Sequence, residues 1–529
     1  MVAADRTLGR MSSTLPENPA LSSTAGEYLS SIDPATGEVV GRVPVTPAEQ
    51  IPLLVHRARQ AQRSWSGMTL EERVELLRPA GERIRERIDR IAELISREMG
   101  KPIGDAKGEA TYAATGFGEL LGEAVEALKP ETRQDDATVS TLVYDPLGVC
   151  AAITPWNFPV LMPQECVLPA LVAGNAVILK PSEESPLCAF EWAKCLMEIL
   201  PADVLQVVFG DEVQGKALVA SDVDMIAFTG SRAAGKHILE AAGRGLKRVI
   251  LELGGKDPLI VLKDADLETA SAFAARNSFR NAGQVCVSTE RIYVHRSIAQ
   301  TFEAKVVEKA KALKQGNGRE EGVTIGPMVN ARQKAHVLRQ IQAAISEGAT
   351  VAAGNEPRPG NFVAPTVLVN VTNDMTIMRE ETFGPVLLIS PFDRDEDAIA
   401  VANGTSFGLG SSVFSGSRAR ARRIAASLEA GMTGINDFGG MTYMAQDLTF
   451  GGVKHSGFGR INGREGLRAL CNTKAVLDDR LPFSFASKVY PVSPRDFGVT
   501  QGTLDVMYGR GVVRRVRGLG RLVRSLFTS

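Results

Sequence analysis

Between residues 69 and 99 the apolar positions Val74, Leu77, Ile84, Ile88, Ile91 and Leu94 recur at helical spacing among arginines and glutamates. They share one face, so the segment predicts amphipathic helix laid on a core. Further on the period changes. Short β-branched runs at 149–153, 176–179, 204–208, 225–228 and 248–252 alternate with helical stretches, which implies parallel βαβ units. A second block has strands at 259–261, 292–294, 386–390, 412–414 and 434–436, with helices such as 297–313 and 331–347 between them. The expected fold class is α/β with two Rossmann-like lobes. A short alternating strand is expected at 139–143.

At the far end, Val512, Val516, Leu519, Val523 and Leu526 repeat at three-to-four spacing, with Arg514, Arg517, Arg521 and Arg524 on the opposite side of the same helix. A basic amphipathic helix can lie in the surface of an anionic bilayer. The same stripe can also pack on the protein body or on a second subunit. Gly518 and Gly520 are expected to weaken the helix in isolation.

At 529 residues the chain exceeds what one hydrophobic core normally serves, so more than one domain is expected. A net charge of -1 argues against nucleic-acid binding, which needs a basic surface to neutralise phosphates. The cysteines show no CxxC spacing and no nearby His pair, so neither a metal site nor a redox pair is encoded, and a reducing compartment suits them. Residues before about 27 are small and polar and are expected to fray; with no apolar signal segment there, the expected location is cytoplasmic. The most apolar stretch, 147–179, is interrupted by Pro155, Pro159, Pro163 and Pro169 and contains Asn157, Gln164 and Glu165. That pattern fits a buried core with a site in it better than a membrane span.

Four segments carry candidate chemistry, because apolar strand ends run straight into polar residues or glycines: Thr-Pro-Trp-Asn-Phe-Pro at 154–159, Phe-Thr-Gly-Ser at 228–231, Leu-Glu-Leu-Gly-Gly-Lys at 251–256 and Asn-Ala-Gly-Gln-Val-Cys at 281–286. Loops at the carboxyl ends of parallel strands are where α/β proteins place their sites. Cys286 follows Gly283 and Gln284, a turn with room for a substrate carbonyl beside a thiol; an isolated cysteine is otherwise a small buried hydrophobe. Glu252 ends an apolar strand, where a dry pocket would raise its pKa towards neutrality. Pairing with Lys247 or Lys256 is the plainer reading of that residue. Asn157 needs partners for a buried amide, or it closes a turn beside Pro159. Ser231 precedes a helix whose first N–H groups can face a pyrophosphate, although the GxGxxG fingerprint and the P-loop ending are both absent. Lys180 and Glu183 could be a solvated pair at a helix start, and Phe383 could be core. Arg280 could bind a substrate carboxylate or sit on a helix surface.

Taken in order, and joined by Lys-Pro-Ser-Glu at 180–183 and Glu-Thr-Phe-Gly-Pro at 381–385, these segments resemble the aldehyde dehydrogenase superfamily from about residue 28 to about 478. The resemblance implies that Cys286 is the nucleophile of a thiohemiacetal and thioester route. It makes Glu252 the base that activates water, and gives Asn157 and the Cys286 N–H the developing oxyanion. It implies cofactor contacts at Ile153, Thr154, Pro155, Trp156, Lys180, Ser182, Glu183, Gly210, Gly230, Ser231, Leu253, Glu381 and Phe383. Ser231 would touch the phosphate, Lys180 and Glu183 the adenosine ribose, and Glu381 and Phe383 the nicotinamide ribose and ring. A carboxylate at Glu183 favours NAD over NADP, because it repels a 2′-phosphate.

The organisation implied is a flexible segment at 1–27, a cofactor domain at 28–127 and 147–254, and a catalytic domain at 255–472. An oligomerisation β-element at 128–146 and 473–480 would join a homodimer or homotetramer, and a basic extension occupies 481–529. The sequence also departs from the family pattern. Ile461 stands where many relatives carry a glutamate, the rim at Thr442, Tyr443 and Met444 is unlike the commonest types, and the length beyond Pro482 resembles the plant family-22 branch. Two other readings are a CoA-acylating semialdehyde dehydrogenase, which would lack the base at 252, and a non-catalytic protein that kept the fold.

Overall fold

The computed structural model describes residues 27–135, 138–437, 445, 447–480 and 493–527. The chain divides into two units, Met1–Pro130 with Val143–Lys474, and Glu131–Leu142 with Ala475–Ser529.

Two sheets organise the first unit. In one, Arg248–Leu253, Met225–Gly230, Val149–Ile153, Ala176–Lys180 and Leu205–Val207 lie side by side in that order, all parallel. The short strand Gly457–Phe458 adds antiparallel to the Arg248–Leu253 edge. Every residue of Ala176–Lys180 is buried, as expected of a parallel strand covered by helices on both faces. Val149–Ile153 sits at the point where the strand order reverses, so the crevice beyond its carboxyl end is the natural ligand position in this sheet. The second sheet runs Thr350–Ala353, Thr366–Val369, Val386–Phe392, Thr289–His295, Asp257–Val261, Ser412–Phe414 and Gly434–Ile435, parallel except for its first, edge strand. Each sheet has its own apolar core.

The helical face at 69–99 is not one helix. It breaks into Leu70–Leu77, Pro79–Glu86 and Ile88–Met99. Thr69 starts the first with a reciprocal cap to Glu72. Pro79 has no N–H to continue the ladder, and Arg87, at φ −107° and ψ 9°, leaves helical geometry. Gly100, at φ +77°, ends the run.

Glu131–Gln134 pairs antiparallel with Thr138–Pro146, and Cys471–Asp479 completes a three-stranded sheet. Helices Pro494–Tyr508 and Val512–Leu526 pack as a hairpin. Their contact is made by small residues. A Cβ on Gly518 would lie 2.8 Å from the Gly502 carbonyl oxygen, and one on Gly502 would lie 2.9 Å from the Gly518 carbonyl oxygen. Asp505 accepts hydrogen bonds from Arg514 at 2.8 Å and Arg521 at 2.7 Å. Gly518, read from sequence as a weak point, is where the two helices approach. The apolar stripe of Val512, Val516, Leu519 and Val523 stays exposed. Among the described residues no helix is long and apolar enough to cross a membrane.

Candidate active site

Cys286 owes its position to an unusual backbone. Asn281 and Ala282 both adopt φ 55° and Gly283 φ +71°, left-handed values that side chains resist. At 283 only glycine fits, since a Cβ would lie 2.0 Å from the Gly384 carbonyl oxygen. Gln284 locks the turn: its amide donates to the Asn281 carbonyl at 3.0 Å, and its side-chain oxygen accepts from the Val329 N–H at 2.8 Å. Strain held by so many partners is typical of a site whose geometry matters. Cys286 is the one cysteine that is partly exposed; the other five are buried. Burial raises its thiol pKa, and the carboxylates of Glu252, Asp257 and Glu381 raise it further.

Asn157 is buried, and its side-chain Nδ2 donates to the Gln284 carbonyl at 3.1 Å. That bond ties Asn157 to the loop that carries Cys286. The Asn157 carbonyl in turn accepts from Lys101 Nζ at 3.0 Å and Asn281 Nδ2 at 3.2 Å.

Glu252 is 3% exposed, and neither carboxyl oxygen has a hydrogen-bond partner among the described residues. Burial holds its pKa well above the usual carboxylate range, opposed only by Arg460. The plainer reading, a lysine pair, fails: Lys247 donates to the Val219 carbonyl at 2.7 Å, and Lys256 is paired with Glu290. Gly451 lies against the carboxylate. A Cβ on Gly451 would come within 2.6 Å of Glu252 Oε1.

The predicted cofactor residues gather at the carboxyl ends of the first sheet. Ile153, Lys180, Gly230 and Leu253 are the last residues of four neighbouring strands, and Gly210 follows the fifth. The Thr154 N–H bonds the Lys180 carbonyl at 3.1 Å, while its buried hydroxyl has no partner among the described residues. Lys180 is buried, with Nζ 3.9 Å from the half-exposed carboxylate of Glu183; burial lowers its pKa. Ser182 is buried beside them, with Pro155 half-buried above the strand end. Ser231 caps helix Arg232–Arg244, accepting from the Ala234 N–H at 3.3 Å. On the other side Trp156 meets Phe383 edge-on, with ring centroids 5.5 Å apart. Glu381 accepts from the Gly255 N–H at 3.2 Å, and burial, reinforced by Glu290, lifts its pKa to about 8. An orphaned hydroxyl, glycine turns and helix-start N–H groups at one row of strand ends fit a dinucleotide.

A cavity of about 690 Å³ opens on Cys286, with Phe158, Phe273, Val285 and Phe450 among its walls. Arg280 lines it too, half-buried, its guanidinium 5.3 Å from the Phe158 ring centre, and so is not a plain surface arginine. Ile461 is a buried wall residue. Thr442, Tyr443 and Met444 lie outside the described residues. Sequence reading missed the buried Lys101 and Glu109 pair, 2.5 Å apart, which supports Asn157 from behind. Its one signal was a lysine set between Gly100 and Pro102 at a helix break.

The profile described as the aldehyde dehydrogenase family matches residues 21–476. Among solved structures, an aldehyde dehydrogenase from Brucella melitensis biovar abortus 2308 is 37% identical with a TM-score of 0.83, over 87% of this chain and 95% of that one. An NAD-dependent aldehyde dehydrogenase from Sinorhizobium meliloti is 35% identical with a TM-score of 0.84, over 88% and 94%. An aldehyde dehydrogenase from Bacillus cereus, solved as an NAD+ complex, is 35% identical with a TM-score of 0.82, over 86% and 94%.

Proposed function

The chain belongs to the aldehyde dehydrogenase family, NAD(P)-dependent oxidoreductases acting on aldehydes, and from that premise we propose that it converts an aldehyde, NAD+ and water to a carboxylic acid, NADH and a proton through Cys286 and Glu252. The observation that carries this reading is a partly exposed thiol on a strained loop, electrostatically coupled to a buried carboxylate without a partner. Glu252 takes the thiol proton as Cys286 Sγ attacks the carbonyl carbon. The resulting oxyanion is met by an N–H of Asn157 Nδ2 and by the Cys286 backbone N–H. NAD, when bound, accepts the hydride that leaves the thiohemiacetal carbon. Glu252, its proton passed to solvent, then deprotonates a water that attacks the thioester, and the acid departs as the Cys286 thiolate is restored. An aldehyde panel read by NADH absorbance tests the whole reading: no reduction with any aldehyde overturns it.

Within it, Ile153, Thr154, Pro155, Trp156, Lys180, Ser182, Gly210, Gly230, Ser231 and Leu253 hold the adenosine and pyrophosphate side, and Glu381 with Phe383 the nicotinamide side. Glu183 sets the choice of cofactor. A carboxylate about 4 Å from a 2′-phosphate is repelled even at moderate dielectric, so kcat/KM should favour NAD over NADP by ~10-fold or more. Glu183→Ser should narrow that gap; a wild type that prefers NADP would place the ribose elsewhere.

The exposed stripe of helix Val512–Leu526, bordered by arginines, supports a second role, peripheral contact with an anionic membrane surface. The full chain should pellet with vesicles containing phosphatidylserine. The doubly substituted Val516→Glu, Leu519→Glu protein should stay in the supernatant. Equal behaviour of the two proteins removes this role.

A further inference from the structure

One wall of the Cys286 cavity carries two buried polar side chains that aldehyde oxidation does not use. Glu165 lies on helix Leu161–Val172, in which every residue after Leu161 is buried. It is 7% exposed, has no ion pair, and its Oε2 has no hydrogen-bond partner among the described residues. The Asn462 amide gives it one stabilising hydrogen bond against a burial that lifts its pKa to about 7. Asn462 stands just before helix Gly463–Arg468 at φ 54°, also 7% exposed, and its Oδ1 is likewise without a partner. Buried polar groups are nearly always hydrogen-bonded, so two neighbouring orphan acceptors on residues that line one cavity need an explanation. Ile461, Met162 and Phe450 around them are apolar and cannot supply one.

We propose that Glu165 and Asn462 form a subsite for the far end of the substrate, and that the aldehyde carries there a hydrogen-bond donor, an alcohol or a primary ammonium. The inference rests on Cys286 being the site of aldehyde oxidation. Two acceptor oxygens are satisfied by donated hydrogens, whereas an alkyl terminus leaves both unpaired and a carboxylate brings further acceptors against them. A carboxyl poised near neutrality serves either donor, staying ionised beside an ammonium or protonated beside an alcohol. Arg280 would favour a carboxylate in the same cavity, but its guanidinium is turned onto the Phe158 face. ω-Carboxyaldehydes are therefore the contrasting substrates.

The test measures kcat and KM for n-alkanals and for ω-hydroxy-, ω-amino- and ω-carboxyaldehydes of matched chain lengths, with wild type and Glu165→Leu. At the best length the hydroxy- or aminoaldehyde should exceed the alkanal in kcat/KM by ~10-fold or more, since a site built to hydrogen-bond a substrate rejects the analogue that lacks the group. The difference should sit mainly in KM. Glu165→Leu should invert the ranking, the polar aldehyde losing and the alkanal gaining, whereas a merely structural Glu165 would shift all substrates together. A higher value for the amino series assigns an ammonium, and one for the hydroxy series assigns an alcohol. An alkanal or carboxyaldehyde that equals or exceeds both at every length overturns the proposal, as does a ranking unchanged by the substitution. Should Glu165→Leu not fold, Glu165→Gln keeps the volume, removes the charge and must still lower the polar-to-alkyl ratio. Failure of every aldehyde would sink the oxidation reading itself, a result distinct from oxidation without the ranking.

Discussion

Cys286→Ala should lower aldehyde oxidation by roughly ten-thousand-fold or more, the scale on which enzymes lose activity when a covalent nucleophile is removed. No other cysteine can take its place. Cys150, Cys166, Cys188, Cys195 and Cys471 are buried, and none of them lines the cavity that opens on Cys286. Cys195→Ala, in the helix Pro186–Met197, should leave turnover close to wild type and serves as the control for cysteine loss in general. Thiol labelling gives an independent readout, because an alkylating reagent should modify the native protein at Cys286 before any other position. Steady turnover by Cys286→Ala would reject the nucleophile.

What the sequence made legible follows from how parallel strands are buried. Runs such as 149–153 stand out because both faces are covered, and the strand Val149–Ile153 has those same ends. Candidate positions at such strand ends were legible for the same reason: Thr154, Lys180, Ser231 and Glu252 sit where a buried run meets polar residues. Partnerships made across the fold were not. Sequence reading does not single out Lys101 and Glu109, which a loop and a helix bring together behind Asn157. Glu165 showed only as an acid in an apolar stretch, and its neighbour Asn462 follows it along the chain only after every strand of the second sheet. The lysines offered to Glu252 were the right kind of partner in the wrong place, since Lys256 continues into the next strand and meets Glu290 there. The helix breaks at Pro79 and Arg87 were not read from the spacing, which follows the shared apolar face; the second is made by backbone conformation at a residue that helices accept. Gly518 has two opposite effects. Helix propensity counts the missing side chain as a cost, while packing against Gly502 turns it into close contact.

Glu252→Gln separates the two halves of the reaction. The amide keeps the size of the side chain but cannot take a proton from water, so hydrolysis of the thioester should fall by about a hundred- to a thousand-fold. Acylation should survive it. In the wild type the Glu252 carboxylate helps to raise the Cys286 thiol, and its replacement by a neutral amide removes that obstacle to thiolate formation. The proton must then pass to solvent, which slows the step without stopping it. A rapid-mixing trace should therefore show a burst approaching one NADH per active site, followed by a slow steady phase. The pH dependence has a defined sign. Burial raises the Glu252 pKa, and its ionised form is the base, so wild-type turnover should rise as pH increases through a value above the ordinary carboxylate range. The steady phase of Glu252→Gln should lose that rise. An absent burst would mean that solvent cannot replace Glu252 as acceptor of the thiol proton, and full steady turnover with an unchanged pH profile would mean that another group activates the water.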